Sequence, residues 1–309
     1  MSMSSDLGGQ RVLVTGAAGQ LGYYLRSQLP ATGATVITTA RTSAPGIEHV
    51  ADLADQAAVQ VLVTATSPDV IIHAAACTDV DGIEREPARG RSGNAVATRN
   101  VAEAAATHGA YLLFVSTDMV FPGDGGAPYA EHAATNPISA YGASKLAAEE
   151  AVLAASVQFG IGRTAWLYGG AGKHFPRTVL TVLRDRGAME VVDDEIGSPT
   201  FASDLADALI RAAASRASGI LHLANAGGTS RFGLAQETVR LAGLPPDIVR
   251  PTSTASFLAR YPLPAARPAD SRLANTRAAS LGITLRPWQE ALADYVPQLA
   301  VELGLNRAQ

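Results

Sequence analysis

Arg11-Val12-Leu13-Val14-Thr15-Gly16-Ala17-Ala18-Gly19-Gln20-Leu21-Gly22 joins a short apolar run to a glycine-rich turn, and residues 23–29 continue as a helix. The apolar run reads as a buried strand. Strand, glycine turn and helix in this order form the context that a dinucleotide fingerprint requires. Glycine permits the tight turn and lets backbone approach a pyrophosphate, and the free N–H groups at the helix start favour an anion there. Gly16, Gly19, Gln20, Leu21 and Gly22 are therefore the first candidate cofactor ligands. A plain strand-to-helix turn is the competing reading of the same residues.

Residues 34–39 give the next strand, which ends at Ala40-Arg41-Thr42-Ser43. An enzyme using NAD usually carries an acid at this point for the ribose 2′-hydroxyl. A guanidinium flanked by hydroxyls suits a 2′-phosphate instead, so Arg41 and Thr42 point to NADPH, with NADH as the lesser alternative. Asp52 and Leu53 precede the following helix, where they can flank an adenine. Residues 69–73 form a third strand that runs into Ala74-Ala75-Ala76. Such small residues leave room for a bound cofactor. His73, inside the strand, reads as packed rather than catalytic. Residues 77–91 read as loop into helix, and residues 94–109 as one long helix.

A fourth strand, residues 111–115, leads to Ser116-Thr117-Asp118. A hydroxyl at the carboxyl end of that strand can hydrogen-bond a substrate carbonyl. After a Pro- and Gly-punctuated loop, residues 122–137, comes Tyr141-Gly142-Ala143-Ser144-Lys145 at the head of an Ala-rich helix. A spacing of four sets the phenol and the ammonium on one helix face. A phenol with a pKa of about 10 is a poor proton donor to a ketone at neutral pH. A cation one turn away is expected to lower that value. Only two lysines are present, Lys145 and Lys173, beside eight tyrosines. A Tyr-x-x-x-Lys spacing would arise by chance in roughly one such chain in twenty, so the pair gains weight from its context.

Further on, strand, helix, strand and helix follow over residues 158–214, and residues 219–223 form another strand. Asp193-Asp194-Glu195 reads as a solvated turn, because consecutive side chains point in different directions. From Gly227 short helices alternate with Pro-rich connectors, and Pro287-Trp288 opens a last helix. The expected fold class is α/β, a Rossmann-type doubly wound parallel sheet with a smaller mixed C-terminal substrate domain. Residues 1–165 and 199–225 are assigned to the cofactor domain, and residues 166–198 and 226–309 to the substrate domain. The chain has 309 residues, 47% hydrophobic and 17% charged, and a net charge of -4. These totals suit a soluble globular enzyme and give no reason to expect nucleic acid as a partner. One cysteine, Cys77, fits a reducing compartment. Residues 1–10 lack a signal-peptide pattern, and no apolar run approaches the ~20 residues of a membrane span. A cytoplasmic location is expected.

Taken together these residues resemble the extended short-chain dehydrogenase/reductases, and most closely the dTDP-4-dehydrorhamnose reductase family. The likeness runs from Val12 to about Val296. It is carried by the glycine turn, by Ala74-Ala75-Ala76 with Thr78, Val80, Asp81 and Glu84, and by Asn94 and Asn100. Ser116-Thr117-Asp118, Tyr141 with Lys145, Arg163-Thr164 with Trp166, Ile196-Gly197-Ser198-Pro199-Thr200 and Arg267-Pro268 complete it. The resemblance implies that Tyr141 donates a proton to a ketone oxygen, that Lys145 lowers its pKa and holds the nicotinamide ribose, and that Thr117 polarises the carbonyl. It implies NADPH as hydride donor, with Ala74, Ala75, Ala76 and Asn94 beside it. It implies a nucleotide-activated 4-keto-6-deoxy sugar as substrate, bordered by Thr78, Val80, Asp118, Met119, Trp166, Ser198 and Thr200. The expected reaction converts dTDP-4-dehydro-L-rhamnose to dTDP-L-rhamnose. Met119, Cys77, Asp79 and Gly82 depart from the family pattern at the sugar pocket. Reduction of another dTDP-4-ketohexose, or a dihydrostreptose-type activity, therefore stays open. So do an epimerase or dehydratase on the same fold and a regulatory subunit like that of methionine adenosyltransferase. A homodimer is left open, and no metal ligands are assigned.

Overall fold

The computed structural model describes residues 5–125, 128–155 and 158–305. The start of the polar residues 1–10, two residues of the loop 122–137 and the last four residues of the chain lie outside these. In chain order the strands are β1 (Arg11–Thr15), β2 (Thr35–Ala40), β3 (His49–Val50), β4 (Val70–His73), β5 (Tyr111–Thr117), β6 (Phe159–Thr164), β7 (Leu167–Tyr168), β8 (Met189–Val192), β9 (Ile196–Gly197), β10 (Thr200–Phe201), β11 (Gly219–His222), β12 (Thr229–Ser230) and β13 (Val249–Thr252). The helices are α1 (Gln20–Gln28), α2 (Gln56–Thr66), α3 (Val80–Arg85), α4 (Pro87–Gly90), α5 (Ala97–His108), α6 (Ala140–Ala154), α7 (Phe175–Arg186), α8 (Ala202–Ala214), α9 (Arg231–Leu241), α10 (Thr254–Arg260), α11 (Thr276–Ser280) and α12 (Trp288–Glu302).

Seven strands form one parallel sheet in the order β11-β6-β5-β4-β1-β2-β3. The sheet is wound outward in both directions from β1, so the strand order reverses between β1 and β4. A crevice opens above the carboxyl ends of the strands at such a reversal. Because all seven strands are parallel, the glycine turn after β1, Arg41 after β2, the alanines after β4 and Thr117 at the end of β5 lie along one edge.

Both faces of the sheet are covered, which explains why β1 and β4 read as unbroken apolar runs rather than alternating ones. Val12, Val14, Val70 and Ile72 face a core with Leu25 of α1 and Leu205 and Leu209 of α8. Leu13, Ile71, Leu112 and Phe114 face the opposite core, with Val59 and Leu62 of α2, Val101 of α5 and Val152 of α6. The remaining strands pair two by two, β10 with β7, β12 with β9 and β13 with β8. Around them α7, α9 and α12 bury Leu180, Leu234, Trp288, Leu292 and Val296.

Most elements start within a residue or two of the expected positions. Edge strand β3 has only two residues, too few for a periodicity to show. The helix expected over residues 94–109 begins earlier, as a π-helical turn over Arg91–Val96 that feeds directly into α5. Within that turn the Asn94 carboxamide bonds the Cys77 backbone and Ser144. Single π-helical turns of this kind occur mostly within α-helices and often at functional sites.

Candidate active site

A cleft of about 1030 Å³ lies along the carboxyl edge of the sheet. One end is built by the glycine turn. Gly16 has φ +67°, and a Cβ there would stand 2.7 Å from the Cα of Ala75. Gly22 is pressed against the same turn, since its Cβ would come 2.4 Å from the Gly16 carbonyl oxygen. The first turn of α1 thus packs directly under the floor of the cleft. Its cap residue, Gly19, supplies no side-chain hydrogen bond to the helix start. The backbone N–H groups there are the kind of site that binds a phosphate. Gly16, Gly19, Gln20, Leu21, Gly22, Arg41, Asp52, Leu53, Ala74, Ala75 and Ala76 all line the cleft. Arg41 is exposed and has no ion-pair partner among the described residues.

The middle of the cleft holds Thr117, Tyr141 and Lys145. Ser139 caps α6 by accepting from the Gly142 N–H at 3.1 Å, and Glu84 accepts from the Ala140 N–H at 2.8 Å. A Cβ on Gly142 would stand 2.2 Å from the Met119 carbonyl oxygen, so the first turn of α6 touches the segment that follows β5. That contact brings Tyr141 beside Thr117. Lys145 is buried, donates to the Val115 carbonyl at 2.8 Å, and lies 4.1 Å from the centre of the Phe114 ring. One turn further on, Glu149 accepts from Arg163 at 2.9 and 2.6 Å and from Ser116 at 2.5 Å. This buried network ties α6 to β5 and β6.

Burial dominates the titration of these groups. It pushes the Tyr141 phenol well above its ordinary value; the Asp118 carboxylate adds to the shift, the Thr117 hydroxyl opposes it and Cys77 adds a little. Burial pushes the Lys145 ammonium down to about 7, against the pull of Glu149. The sequence led us to expect a phenol lowered by the cation one turn away. In the structure the ammonium is turned to the Val115 carbonyl and the Phe114 ring, and desolvation of the phenol prevails. His73 is packed as expected: it bonds Thr15 at 2.7 Å and Thr98 at 3.0 Å and is held down to about 3 by burial, then by Lys145.

The far end of the cleft is lined by Thr78, Val80, Asp118, Met119 and Trp166, with Cys77 alongside. Trp166 takes the left-handed backbone conformation, φ +44°, an outlier for a bulky residue. Its indole lies against Gly197, whose Cβ would stand 2.2 Å from the ring. The Arg231 guanidinium lies over that ring, 3.6 Å from its centre, and Glu195 approaches the guanidinium at 3.7 Å. Arg231, Glu195, Lys173, Arg267 and Ser271 border the cleft, and none was singled out from the sequence as a site residue. Arg267 is engaged by Asp81 at 2.8 and 2.7 Å, which joins the segment before Pro268 to α3. Glu195 is not part of a solvated turn: burial raises its pKa, with Arg231 opposing. Asp193 and Asp194 do sit at the surface, where they accept from Ser230 and Thr254.

Four expected residues are not brought to the cleft. Thr42 is exposed and outside it. Asn94 is buried, with its carboxamide spent on Cys77 at 2.8 and 3.1 Å and on Ser144 at 2.9 Å. Ser198 is buried and accepts from the Leu273 N–H, while Thr200 donates to the Ser198 carbonyl. Their polar groups satisfy buried backbone, which otherwise carries a desolvation cost. Among the described residues no group of three or more His, Cys, Asp or Glu is gathered as a metal site, and no helix is long and apolar enough to cross a membrane.

The family model described as the RmlD substrate binding domain matches residues 10–301. A dTDP-4-dehydrorhamnose reductase of Mycolicibacterium smegmatis is 42% identical over 295 residues, 94% of this chain and 86% of that protein. A Streptomyces antibioticus protein described as a probable dTDP-4,6-dihydroxy-2-methyloxan-3-one 4-ketoreductase is 40% identical over 292 residues, 94% of this chain and 95% of that one. Among solved structures, the Bacillus anthracis dTDP-4-dehydrorhamnose reductase in complex with NADP matches with a TM-score of 0.86 at 34% identity, covering 94% of this chain and 99% of the other.

Proposed function

The chain belongs to the RmlD family, whose curated members include dTDP-4-dehydrorhamnose reductases, and from that premise we propose that it uses NADPH to reduce the C4 ketone of a nucleotide-activated 4-keto-6-deoxy sugar. The leading substrate is dTDP-4-dehydro-L-rhamnose, giving dTDP-L-rhamnose. The carrying observation is that Thr117, Tyr141 and Lys145 share one cleft with a glycine turn that fits a dinucleotide. The free N–H groups at the start of α1 and the close-packed Gly16 suit a pyrophosphate, and Arg41 suits a 2′-phosphate. When bound, NADPH supplies the hydride. Tyr141 is held protonated by its burial and gives its proton to the ketone oxygen. Lys145 places a cation one turn away, which offsets the charge left on the phenol. Thr117, at the end of β5 beside the phenol, polarises the ketone carbonyl. Proton transfer of this kind contributes about 10²–10⁴ in rate.

A second reading has one observation in its favour. Cys77 and Met119 change the wall of the sugar pocket, whereas Asp79 and Gly82 lie outside its lining at the capped start of α3, and the Streptomyces antibioticus relative is named for a different 4-keto sugar. Under this reading the chemistry is the same and the sugar differs. The division into a cofactor part and a sugar part, a cytoplasmic location and a homodimer belong to the same proposal. The two-by-two strand pairs outside the main sheet support the division. The test follows NADPH absorbance with dTDP-4-dehydro-L-rhamnose generated in place from dTDP-glucose. Consumption with dTDP-L-rhamnose as product is expected. Tight NADPH binding without consumption would move the assignment to another 4-keto sugar, and neither binding nor turnover would overturn the reductase.

A further inference from the structure

We propose that Arg231 and Glu195 decide which sugar the cleft accepts: side by side next to Trp166, they take the two hydroxyls that a 4-keto-6-deoxy sugar keeps, those at C2 and C3. This rests on the reductase reading and narrows the sugars that reading admits.

Both side chains border the cleft. The pairing of β12 with β9 brings the two residues together, and the Arg231 N–H donates to the Glu195 carbonyl at 3.0 Å. The guanidinium lies 3.6 Å from the centre of the Trp166 ring and 5.2 Å from that of Phe175. Aromatic faces hold a cation without using up its N–H groups. Its Nε stands 3.7 Å from a Glu195 carboxylate oxygen, too far for a hydrogen bond. Among the described residues neither side chain makes a hydrogen bond, although they are only 24% and 15% exposed. Charged groups so far withdrawn from water ordinarily spend their donors and acceptors on one another. Arg163 does so on Glu149 at 2.9 and 2.6 Å, and Arg286 on Asp204 at 2.9 and 3.1 Å. Arg231 and Glu195 keep theirs, and the cleft is where they can be spent.

The chemistry of the pair selects the ligand. Arg231 offers only N–H donors and the Glu195 carboxylate only acceptor oxygens. A sugar hydroxyl both gives and accepts, so two neighbouring hydroxyls match the pair. A diphosphate has acceptors alone. Glu195 would repel it, and so would Asp118, the next carboxylate whose charge Arg231 feels. Asp118 directly follows Thr117, which sets the pair toward the reacting ketone. In a 4-keto-6-deoxy sugar nucleotide C1 carries the diphosphate, C4 is the ketone and C5 carries the methyl group. The sugar's free hydroxyls are then those at C2 and C3.

A site that hydrogen-bonds a hydroxyl rejects the analogue without it, because its own withdrawn groups are left unpaired. The test compares kcat/KM for dTDP-4-dehydro-L-rhamnose and for its 2-deoxy counterpart, both generated in place. Wild type should favour the hydroxylated sugar by about tenfold to a hundredfold, the range of a hydrogen bond to a charged group. Arg231→Met keeps an apolar stem against Trp166 and removes the donors. It should lower kcat/KM for the hydroxylated sugar far more than for the deoxy sugar, so that the preference shrinks to about threefold or less. Glu195→Gln should shrink it in the same direction. Inhibition by dTDP alone should be unchanged in Arg231→Met. A wild type with no preference, or with one for the deoxy sugar, overturns the proposal without need of any variant. Equal losses for both sugars in Arg231→Met overturn it too, and lost inhibition by dTDP would place Arg231 at the diphosphate instead. Wild type that binds NADPH and reduces neither sugar defeats the reductase reading itself, whereas wild type equally active on both defeats this proposal alone.

Discussion

Tyr141 and Lys145 are driven in opposite directions by the same cause. Desolvation disfavours whichever form is charged, so the phenol is held as a neutral acid while the ammonium is brought down to about 7. A protonated phenol is what reduction requires, and its proton leaves easily only if a cation stands near to balance the phenolate. Tyr141→Phe removes the donor without changing the packing. Turnover should fall by at least about 10²-fold with NADPH affinity retained, as measured by stopped-assay kinetics beside fluorescence titration. Full activity of that variant would remove Tyr141 from the chemistry. Arg41 is a separate matter of affinity. A charge-assisted hydrogen bond is worth about 1.5–3 kcal/mol, so Arg41→Ala should weaken NADPH tenfold or more and leave NADH almost untouched. Equal losses for both would mean that Arg41 does not read the 2′-phosphate.

Helix α6 is the element on which the reacting groups depend, and its placement rests on a glycine. A side chain at position 142 would meet the Met119 carbonyl at 2.2 Å. Gly142→Val must therefore push α6 away from the end of β5. We expect turnover to drop far more than NADPH binding, together with a lower melting temperature; a fully active, fully stable variant would show that the contact is not needed. Glycine turn, strand ends and the Tyr-Lys spacing were legible in the sequence because each is local, with a period or a spacing that geometry imposes. Asn94, Ser198 and Thr200 were not, because a polar residue looks the same whether it faces a ligand or a buried backbone group. Arg231 and Glu195 were missed for another reason. They are 36 positions apart and meet only because β12 pairs antiparallel with β9. No spacing rule announces a tertiary meeting of that kind. Trp166 was found by resemblance, but its left-handed backbone and its stacking on Arg231 could be seen only in three dimensions.

Across the whole molecule, three histidines are folded in their neutral form. Burial holds His73 down to about 3, and His174 and His222 down to about 4. Their unfolded counterparts take a proton near pH 6.5. Between those values the unfolded chain binds more protons than the folded one, so stability falls as pH falls. It is fully present above about 6.5 and is lost progressively down to about 4 for His174 and His222 and to about 3 for His73, at roughly 1.4 kcal/mol per pH unit for each buried histidine. Urea unfolding over that pH range should show the slope, and a flat profile would mean that the imidazoles gain compensating partners. The path of the chain through the sheet has a consequence for the order of synthesis. After β6 the polypeptide leaves the sheet, builds β7 to β10, and only then returns as β11 to pair with β6. On the ribosome, β6 therefore emerges with one bare edge, and that edge stays open to wrong partners until residues 219–222 have cleared the exit tunnel. Nascent chains stalled before that point should stick to chaperones and resist compaction, while those released just beyond it should close.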